Sequence, residues 1–340
     1  MIKHKVKMQK IVFLVMVALM AQTSFAQEKT DVVPDSTNNN PGWLWEISGN
    51  GLAQKSYLFG TCHGEGHNFT KEEVFRFPGF QEAFDQSKMV LFEMDLNPEH
   101  VDTAALSRQT KWIADLFRNP DPKYMMPEGV YYKPLYDSIA HFNVVNKYLT
   151  NKMKDPEYWK KTPGYWFTRI GITIFIATRR AQTVDGLLYQ EVVKQGKENG
   201  GLEELEDIGG TIQSMMTDTW RIDTLPMKEQ ADTLYRSIRK LTNGTMRRMN
   251  QGFYEAYMSN DTCQMAKLLA EIPELSGAEA ASHNKELLHD RNAAWMTTIK
   301  KNLPEKTCMI AVGAKHLMGA SSLIAMLRGE GYTVEPVKKK

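Results

Sequence analysis

Two short apolar runs, one near each end of the chain, are each followed by a glycine and, three residues later, a histidine. Gly60 and His63 follow the first run, and Gly313 and His316 follow the second. Neutral imidazole is a common metal ligand and a proton acceptor near physiological pH. In parallel α/β sheets, ligands bind beyond the carboxyl ends of the strands, where a glycine allows the chain to turn sharply. The two histidines are therefore predicted to meet at one edge of a sheet.

A carboxylate stands in a similar position after a third apolar run. Met89–Phe92 is followed directly by Glu93, with Asp95 two residues further on. Two histidines and a glutamate with one open position form a common catalytic zinc site, and histidine–carboxylate sites also suit Mn²⁺ or Co²⁺. The pattern thus predicts a divalent-metal site (Mn²⁺, Co²⁺ or Zn²⁺) with His63, His316 and Glu93 as ligands. Each feature taken singly is more typical of a turn histidine or of a helix-capping carboxylate.

The polar pair Arg291-Asn292 lies in a helical pattern with Trp295 one turn later. The spacing alone is typical of a polar helix face beside core residues. The functional interpretation is an arginine that binds a substrate carboxylate or a developing oxyanion, with Asn292 orienting a partner group. Asp185 is typical of an acid at a helix N-terminus. The acidic run 203–207 is typical of a solvated face, although one member at a strand end could join a site.

The stretch from His63 to His67 resembles the zincin motif but departs from its geometry. Glu65 stands one place too late, and the glycines on either side of it oppose the helix on which that motif depends. Glu65 or His67 could still support the predicted site. Cys62 is predicted to be a small buried residue rather than a nucleophile.

Strand and helix patterns alternate at both ends of the chain, whereas the middle is helical. This alternation predicts an α/β fold with a largely parallel sheet, whose first two strands form a hairpin. The helical middle, about 99–280, is predicted to be an insertion or cap. The predicted strands are 43–47, 56–59, 89–92, 201–205, 307–312 and 332–336, and the predicted helices include 81–88, 167–181, 185–194, 283–302 and 317–327.

Length and composition limit the class of protein. The chain has 340 residues, of which 42% are hydrophobic, and this is enough for a sizeable core. Its 42 basic and 40 acidic residues give a net charge of +2, which argues against an electrostatic nucleic-acid binder. Three cysteines exclude a disulfide scaffold. The sequence contains no serine-hydrolase elbow, no P-loop and no dinucleotide-binding glycine motif.

The N-terminus has the pattern of a cleaved secretory signal peptide. Four lysines precede the apolar run Ile11–Ala21, which is too short to span a bilayer, and small residues at Ser24 and Ala26 precede the expected cut. We therefore expect an exported protein, periplasmic or secreted, without stable membrane insertion. The predicted organisation is a signal peptide at 1–26, a flexible linker at 27–42 and one domain at 43–338.

Several segments resemble the TraB/GumN family, which includes the Tiki proteins. WLWEISG at 43–49, SYLFGTCHGEGHNF at 56–69 and QEAFDQSKMVLFEMDL at 81–96 resemble its opening. LLHDRNAAWMTTI at 287–299 and the segment CMIAVGAKHLMGASSLIAMLRGEGYTVEPV from 308 onward resemble its close. The resemblance implies a ChaN- and erythromycin-esterase-like core of two related α/β halves with a helix-rich middle insertion.

The resemblance also implies that His63, Glu93, Arg291 and His316 line one pocket. Animal Tiki proteins are described as divalent-metal-dependent proteases, so it implies a peptidase-like hydrolase with a peptide or small-molecule substrate. In this interpretation Glu93, Arg291 and Asn292 are catalytic, and His63, His316 and Glu93 hold the metal.

Three positions depart from the family pattern, and two alternative functions stay open. Cys62 replaces an apolar residue, Gly64 commonly has an apolar counterpart, and Lys315 replaces a glycine beside the second histidine. A Lys315 ammonium turned toward the site would weaken cation binding. One alternative is a haem- or iron-binding protein of the ChaN type, with His63 or His316 as axial ligand. The other is a metal-free esterase-like hydrolase in which His63 and Glu93 act directly on water.

Overall fold

The computed structural model describes most of the chain after residue 39. The predicted signal peptide, residues 27–39 of the predicted linker and most of the predicted insertion before residue 160 lie outside the described residues. Side chains at 171–178 and 285–287 are not described. The described residues are 40–63, 67–97, 99–100, 160–178, 182–203, 225–270 and 285–337, with 104, 107, 111, 124–126 and 222.

Six strands within the described ranges form one sheet. They are β1 Leu44–Gly49, β2 Ser56–Thr61, β3 Met89–Met94, β4 Glu198–Glu203, β5 Cys308–Gly313 and β6 Tyr332–Pro336. The spatial order is β4-β3-β5-β2-β1-β6. The strands β2, β3, β4 and β5 are parallel to one another, and β1 is antiparallel to both of its neighbours. The predicted α/β class with a largely parallel sheet is confirmed.

The sequence patterns explain which strands are central. All residues of β2, and all of β5 except Gly313, are buried, as expected for continuous apolar runs covered on both faces. The predicted hairpin of β1 and β2 is confirmed. Its turn contains Asn50 at φ 46° and Gly51 at φ 79°, the left-handed conformations that Asn-Gly adopts readily.

Helices lie between several of the strands along the chain. Two of the predicted helices differ from those observed. The predicted helix 317–327 is wrong in its first part, because a 3₁₀ turn ends at Leu317 and Ser322 caps the helix that follows. The predicted helix 283–302 is divided, because its first turns are π-helical. The observed helices are α1 Lys71–Phe75, α2 Phe80–Gln86, α3 Pro163–Thr178, α4 Val184–Lys194, α5 Met227–Thr242, α6 Thr245–Met258, α7 Thr262–Ala270, a π-helix Lys285–Asp290, α8 Arg291–Asn302, a 3₁₀ turn Ala314–Leu317 and α9 Leu323–Gly329.

The chain divides into two compact units. One contains 103–180 and 209–251, where the described core joins α3 to α5 through the side chains of Tyr165, Trp166, Ile170, Ala231, Leu234 and Ile238. The other contains 40–102, 181–208 and 252–337, which include the sheet. In this second unit, α8 and α9 pack against the sheet through residues such as Trp295, Ile299 and Leu327. The predicted two-halved ChaN-like core and the cap at 99–280 stay predictions.

Candidate functional site

Four parallel strands of the sheet-containing unit end at one edge. Thr61 at the end of β2 pairs with Gly313 at the end of β5, and Met94 of β3 pairs with Glu203 of β4. Because these carboxyl ends meet at the same edge, the residues around them can form one site. The observed strand order therefore brings both Gly-x-x-His stretches and Glu93 to the same edge, as the sequence predicted.

Glu93 accepts two short hydrogen bonds and lies beside His316. Its Oε1 accepts a hydrogen bond from the Gly313 amide at 2.6 Å, and its Oε2 accepts one from Arg291 Nη2 at 2.8 Å. Nε2 of His316 lies 3.6 Å from Oε1. Burial alone would raise the pKa of Glu93, but Arg291, His316 and the Gly313 amide outweigh it and lower the pKa to about 2. The carboxylate is therefore ionised at neutral pH.

Asn292 determines which nitrogen of His316 carries the proton. Asn292 Nδ2 donates to the carbonyl oxygen of Ser321 at 2.9 Å, so its Oδ1 faces Nδ1 of His316 at 2.7 Å. Nδ1 must then be the protonated nitrogen, which leaves a lone pair on Nε2. Burial lowers the pKa of His316 to about 3, and the ring packs against Trp295 with centroids 4.4 Å apart. Asn292 thus fixes the orientation of the His316 ring, and its predicted part in catalysis stays a prediction.

The buried Arg291 guanidinium lies between two carboxylates. Its Nε donates to Glu203 Oε1 at 2.6 Å, and its Nη2 donates to Glu93. Burial alone would lower the pKa of Arg291, but the two carboxylates raise it. Nη1 lies 3.4 Å from His316 Nε2, and the guanidinium stacks 4.7 Å from the Trp295 ring centroid. The guanidinium of Arg291 therefore contacts two carboxylates, the His316 ring and the Trp295 ring within this site.

His63 lies beside a different carboxylate. Its Nδ1 is 4.0 Å from Asp185 Oδ2, while Thr61 Oγ1 donates to Asp185 Oδ1 at 2.9 Å. Thr183 caps helix α4 and so places Asp185 in its first turn, where the carboxylate is buried. His63 contributes to lowering the pKa of Glu93, although less than Arg291 does. His63 therefore lies beside Asp185, and its charge also acts on Glu93.

The three predicted metal ligands do not form a ligand group in this conformation. Among the residues that the structure describes, no three His, Cys, Asp or Glu side chains are grouped closely enough to bind one metal ion. Glu93 and His316 lie together, but His63 lies with Asp185, and the guanidinium of Arg291 supplies a positive charge next to the pair. The metal assignment stays a prediction.

Two of the three positions that depart from the family pattern directly precede these histidines, and the third, Gly64, lies outside the described residues. Cys62 is a half-buried cysteine that forms no disulfide and lies directly before His63. Lys315 is half-buried directly before His316, and burial lowers its pKa to about 7. At neutral pH its ammonium is therefore less fully charged than an exposed lysine, which lessens the repulsion that it would exert on a cation.

Sequence reasoning missed the roles of Glu203 and Asp185. Glu203 ends β4 and accepts hydrogen bonds from Arg291 and, at 2.7 Å, from Trp295 Nε1. It belongs to the acidic run whose pattern is typical of a solvated face with one possible site member at a strand end. The position of Asp185 is typical of a helix N-terminal acid. The one available signal for Glu203 is the predicted strand 201–205, and in the structure Glu203 pairs in register with Met94, one residue beyond Glu93.

The fold and the site define an α/β protein with a buried glutamate–arginine–histidine cluster at the carboxyl edge of a largely parallel sheet. The TraB/PrgY/gumN family model matches residues 43–336, and the chain belongs to this family. No helix within the described ranges has the length and apolarity needed to cross a bilayer.

Curated relatives of this chain are named as metalloproteases. Metalloprotease TIKI1 of Danio rerio is 24% identical over 89% of this chain and 64% of its own length. Metalloprotease TIKI1 of Homo sapiens is 25% identical over 86% of this chain and 61% of its own length. The metalloprotease TIKI homolog of Nematostella vectensis is 22% identical over 94% and 72%. The chain thus spans less than two thirds of the first two relatives. No solved structure matches it.

Proposed function

We propose that this protein is an exported, peptidase-like hydrolase whose active site is the cluster of Glu93, Arg291 and His316. Membership of the TraB/PrgY/gumN family and relatives named as metalloproteases support the proposal. The observation that carries it is a buried pair of acceptors at the sheet edge. An ionised Glu93 carboxylate and the unprotonated Nε2 of His316 lie 3.6 Å apart.

Each residue of the cluster can have a separate role in peptide hydrolysis. Attack on a carbonyl requires acceptors that orient a water molecule and a positive group near the developing oxyanion. Glu93 and His316 are the acceptors in this proposal, and Arg291 is the positive group. Asn292 keeps the His316 ring in one orientation and one tautomer. The substrate class that follows is a peptide or a small molecule with a comparable carbonyl group.

We extend the proposal to a requirement for Mn²⁺, Co²⁺ or Zn²⁺, with His63, His316 and Glu93 as ligands. The names of the relatives support a divalent metal, and Glu93 and His316 are held in the unprotonated state that a ligand needs. The ligand set is incomplete in this conformation, because His63 does not join the pair. Metal content therefore needs its own measurement, apart from turnover.

The metal-free alternative, in which His63 and Glu93 act directly on water, is disfavoured at Glu93. A general base is most effective when its pKa lies near the working pH. With a pKa of about 2, Glu93 does not readily take a proton at neutral pH. Its carboxylate suits the role of a ligand or of a hydrogen-bond acceptor better than that of an unaided base.

Glu93→Gln tests the hydrolase proposal. The amide keeps the shape of the side chain but removes its negative charge and one of its two acceptor oxygens, so we expect turnover to fall by at least about 100-fold, the order of effect of losing one essential catalytic group. Residues 27–340 would be incubated with a mixture of unstructured peptides, and new termini would be identified by mass spectrometry.

Glu46→Gln is the matched control, because Glu46 lies on β1 in an exposed ion pair with Lys55. Its turnover should equal that of the wild type, and both variants should keep the wild-type circular dichroism spectrum. Equal cleavage by wild type and Glu93→Gln would remove Glu93 from the mechanism. No cleavage of any peptide by the wild type would count against the peptidase proposal itself.

The N-terminal pattern and the family support the proposal of export to the periplasm or out of the cell. The predicted signal peptide lies outside the described residues, so its function rests on the charge and apolar pattern of residues 1–26. In this proposal Gln27 is the first residue of the mature protein.

A further inference from the structure

We propose that Glu203 is a positioning residue that holds the Arg291 guanidinium against Glu93, so that the Glu93 carboxylate keeps one orientation toward His316. This inference deepens the proposed hydrolase function of the same site and rests on it. It gives a specific role to a carboxylate that the sequence pattern offered only as one possible member of a site.

Glu203 reaches the site from the strand next to that of Glu93. It is the last residue of β4 and pairs in register with Met94 of β3, one residue beyond Glu93. Its side chain is only 10% exposed. The two carboxylates therefore approach Arg291 from neighbouring strands, while Arg291 itself begins α8. The position of Glu203 is fixed by the sheet rather than by a flexible loop.

Glu203 fixes the plane of the guanidinium. Oε1 accepts from Arg291 Nε at 2.6 Å, and Oε2 lies 3.4 Å from Nη2. Because the guanidinium is planar and rigid, binding along its Nε–Nη2 edge sets the direction of its remaining N–H groups. Nη2 then meets Glu93 Oε2 at 2.8 Å, and Nη1 faces His316 Nε2 at 3.4 Å.

Trp295 holds Glu203 in turn. Its indole Nε1 donates to the same Oε1 at 2.7 Å, and its ring is fully buried against the guanidinium. Both oxygens of Glu203 therefore face protein donors, which places it behind Arg291 rather than in contact with a substrate. This is the arrangement of a group that acts through another residue.

Glu93 depends on this arrangement for one of its two short hydrogen bonds. The Gly313 amide holds Oε1, but Oε2 is held by Arg291. If the guanidinium turned away, Oε2 would lose its partner and the carboxylate could rotate about its last bond. Displacements of about 1 Å in an active site cost roughly 100-fold in rate. Loss of Glu203 should therefore reduce turnover although Glu203 touches no reacting atom.

Glu203→Gln tests the inference by a measurement that needs no substrate. The Arg291 Nε–H and Trp295 Nε1–H signals would be followed by ¹H–¹⁵N NMR and assigned by their loss in Arg291→Lys and Trp295→Phe. The matched control is Glu198→Gln at the other end of β4, where Glu198 forms an ion pair with Lys306 and is 62% exposed. Glu203→Asp is the second variant, which retains the charge but shortens the reach.

We expect exchange of the Arg291 Nε–H with water to accelerate by at least about tenfold in Glu203→Gln and Glu203→Asp, because each weakens a charge-assisted hydrogen bond. Glu198→Gln should leave it unchanged. If Glu203→Gln does not fold, the exchange rate measured in Glu203→Asp decides the inference. Unchanged exchange in the folded Glu203 variants would overturn the inference.

Kinetics then separate positioning from substrate binding. On a peptide that the wild type cleaves, kcat should fall roughly 10- to 100-fold in Glu203→Gln, as for other carboxylates that orient an active-site group, while KM stays within about twofold. A raised KM with unchanged kcat would overturn the positioning role. If the wild type cleaves no peptide, the hydrolase proposal fails, and the exchange measurement still decides whether Glu203 holds Arg291.

Discussion

Each of the two histidines has Nδ1 directed toward an oxygen of a neighbouring helix. Asn292 on α8 accepts from His316, and Asp185 on α4 lies 4.0 Å from His63. The sequence predicted that these two histidines belong to a site, because each follows an apolar run and a glycine. It predicted a partner role for Asn292 but not for Asp185. An acid at a helix N-terminus has the same local pattern whether or not a strand end lies beside it.

At the residue scale, the metal proposal predicts what each histidine contributes. Mature protein made without a His-tag would be dialysed against limiting Mn²⁺, Co²⁺ and Zn²⁺, and its metal content measured by mass spectrometry. We expect about one ion per chain in the wild type, and its loss in both His63→Ala and His316→Ala, because removal of one of three ligands strongly weakens a site.

His100→Ala is the control for these variants. His100 is an exposed histidine that contacts Asp95 at 2.7 Å, so the same substitution there should leave the metal content unchanged. Metal retained in both His63→Ala and His316→Ala would refute the ligand assignment. Loss in His316→Ala alone would show that His63 has another role, as its separation from the Glu93 pair suggests.

At the element scale, the close approach of β3 and β4 explains the glycine at position 201 of β4. A Cβ atom at Gly201 would collide with the backbone nitrogen of Asp95 and lie 2.9 Å from the carbonyl oxygen of Glu203. A Cβ at the neighbouring Gly200 would lie 3.5 Å from the Met89 side chain, an ordinary contact. Position 201 therefore has no room for a Cβ atom, whereas position 200 can accept one.

We expect Gly201→Ala to lower the free energy of unfolding by about 1–3 kcal/mol, the usual effect of forcing extra atoms into a packed region. Gly200→Ala should change it by less than about 0.5 kcal/mol. Urea denaturation followed by circular dichroism measures both. Equal stability of the two variants would mean that β4 can move away from β3 without cost.

The elements themselves were predicted with unequal success. Alternation of apolar runs with turn signals indicated all six strands, and the predicted strand 332–336 has the bounds of β6. The helix predicted at 317–327 failed at its start because apolar residues after His316 continue a helical pattern. The chain there instead forms a 3₁₀ turn and restarts at the Ser322 cap. The 3₁₀ turn carries His316, which contacts Asn292 of α8, and local sequence does not encode this long-range contact.

At the scale of the whole molecule, the sheet-containing unit is assembled from three separate stretches of chain. Tyr257 near the end of α6 ties two of them together. Its ring stacks on Trp43 with centroids 5.6 Å apart, and its carbonyl oxygen accepts from Trp43 Nε1 at 3.0 Å. Its hydroxyl donates to the Gly60 carbonyl oxygen at 2.9 Å, just before the first predicted histidine turn. The sequence offered no signal for these contacts of Tyr257, because they join residues about 200 positions apart.

Tyr257→Phe removes that hydroxyl and leaves the buried Gly60 carbonyl oxygen with one acceptor site unfilled. We expect the free energy of unfolding to fall by about 1–2 kcal/mol, the effect of losing one partner of a buried hydrogen bond. Since the bond closes the unit across distant stretches, tryptophan fluorescence and circular dichroism should shift together in a urea titration. Tyr235→Phe, at a tyrosine that is 44% exposed, should leave both midpoints unchanged. A shift in fluorescence alone would show that Tyr257 stabilises only its surroundings and does not hold the unit together.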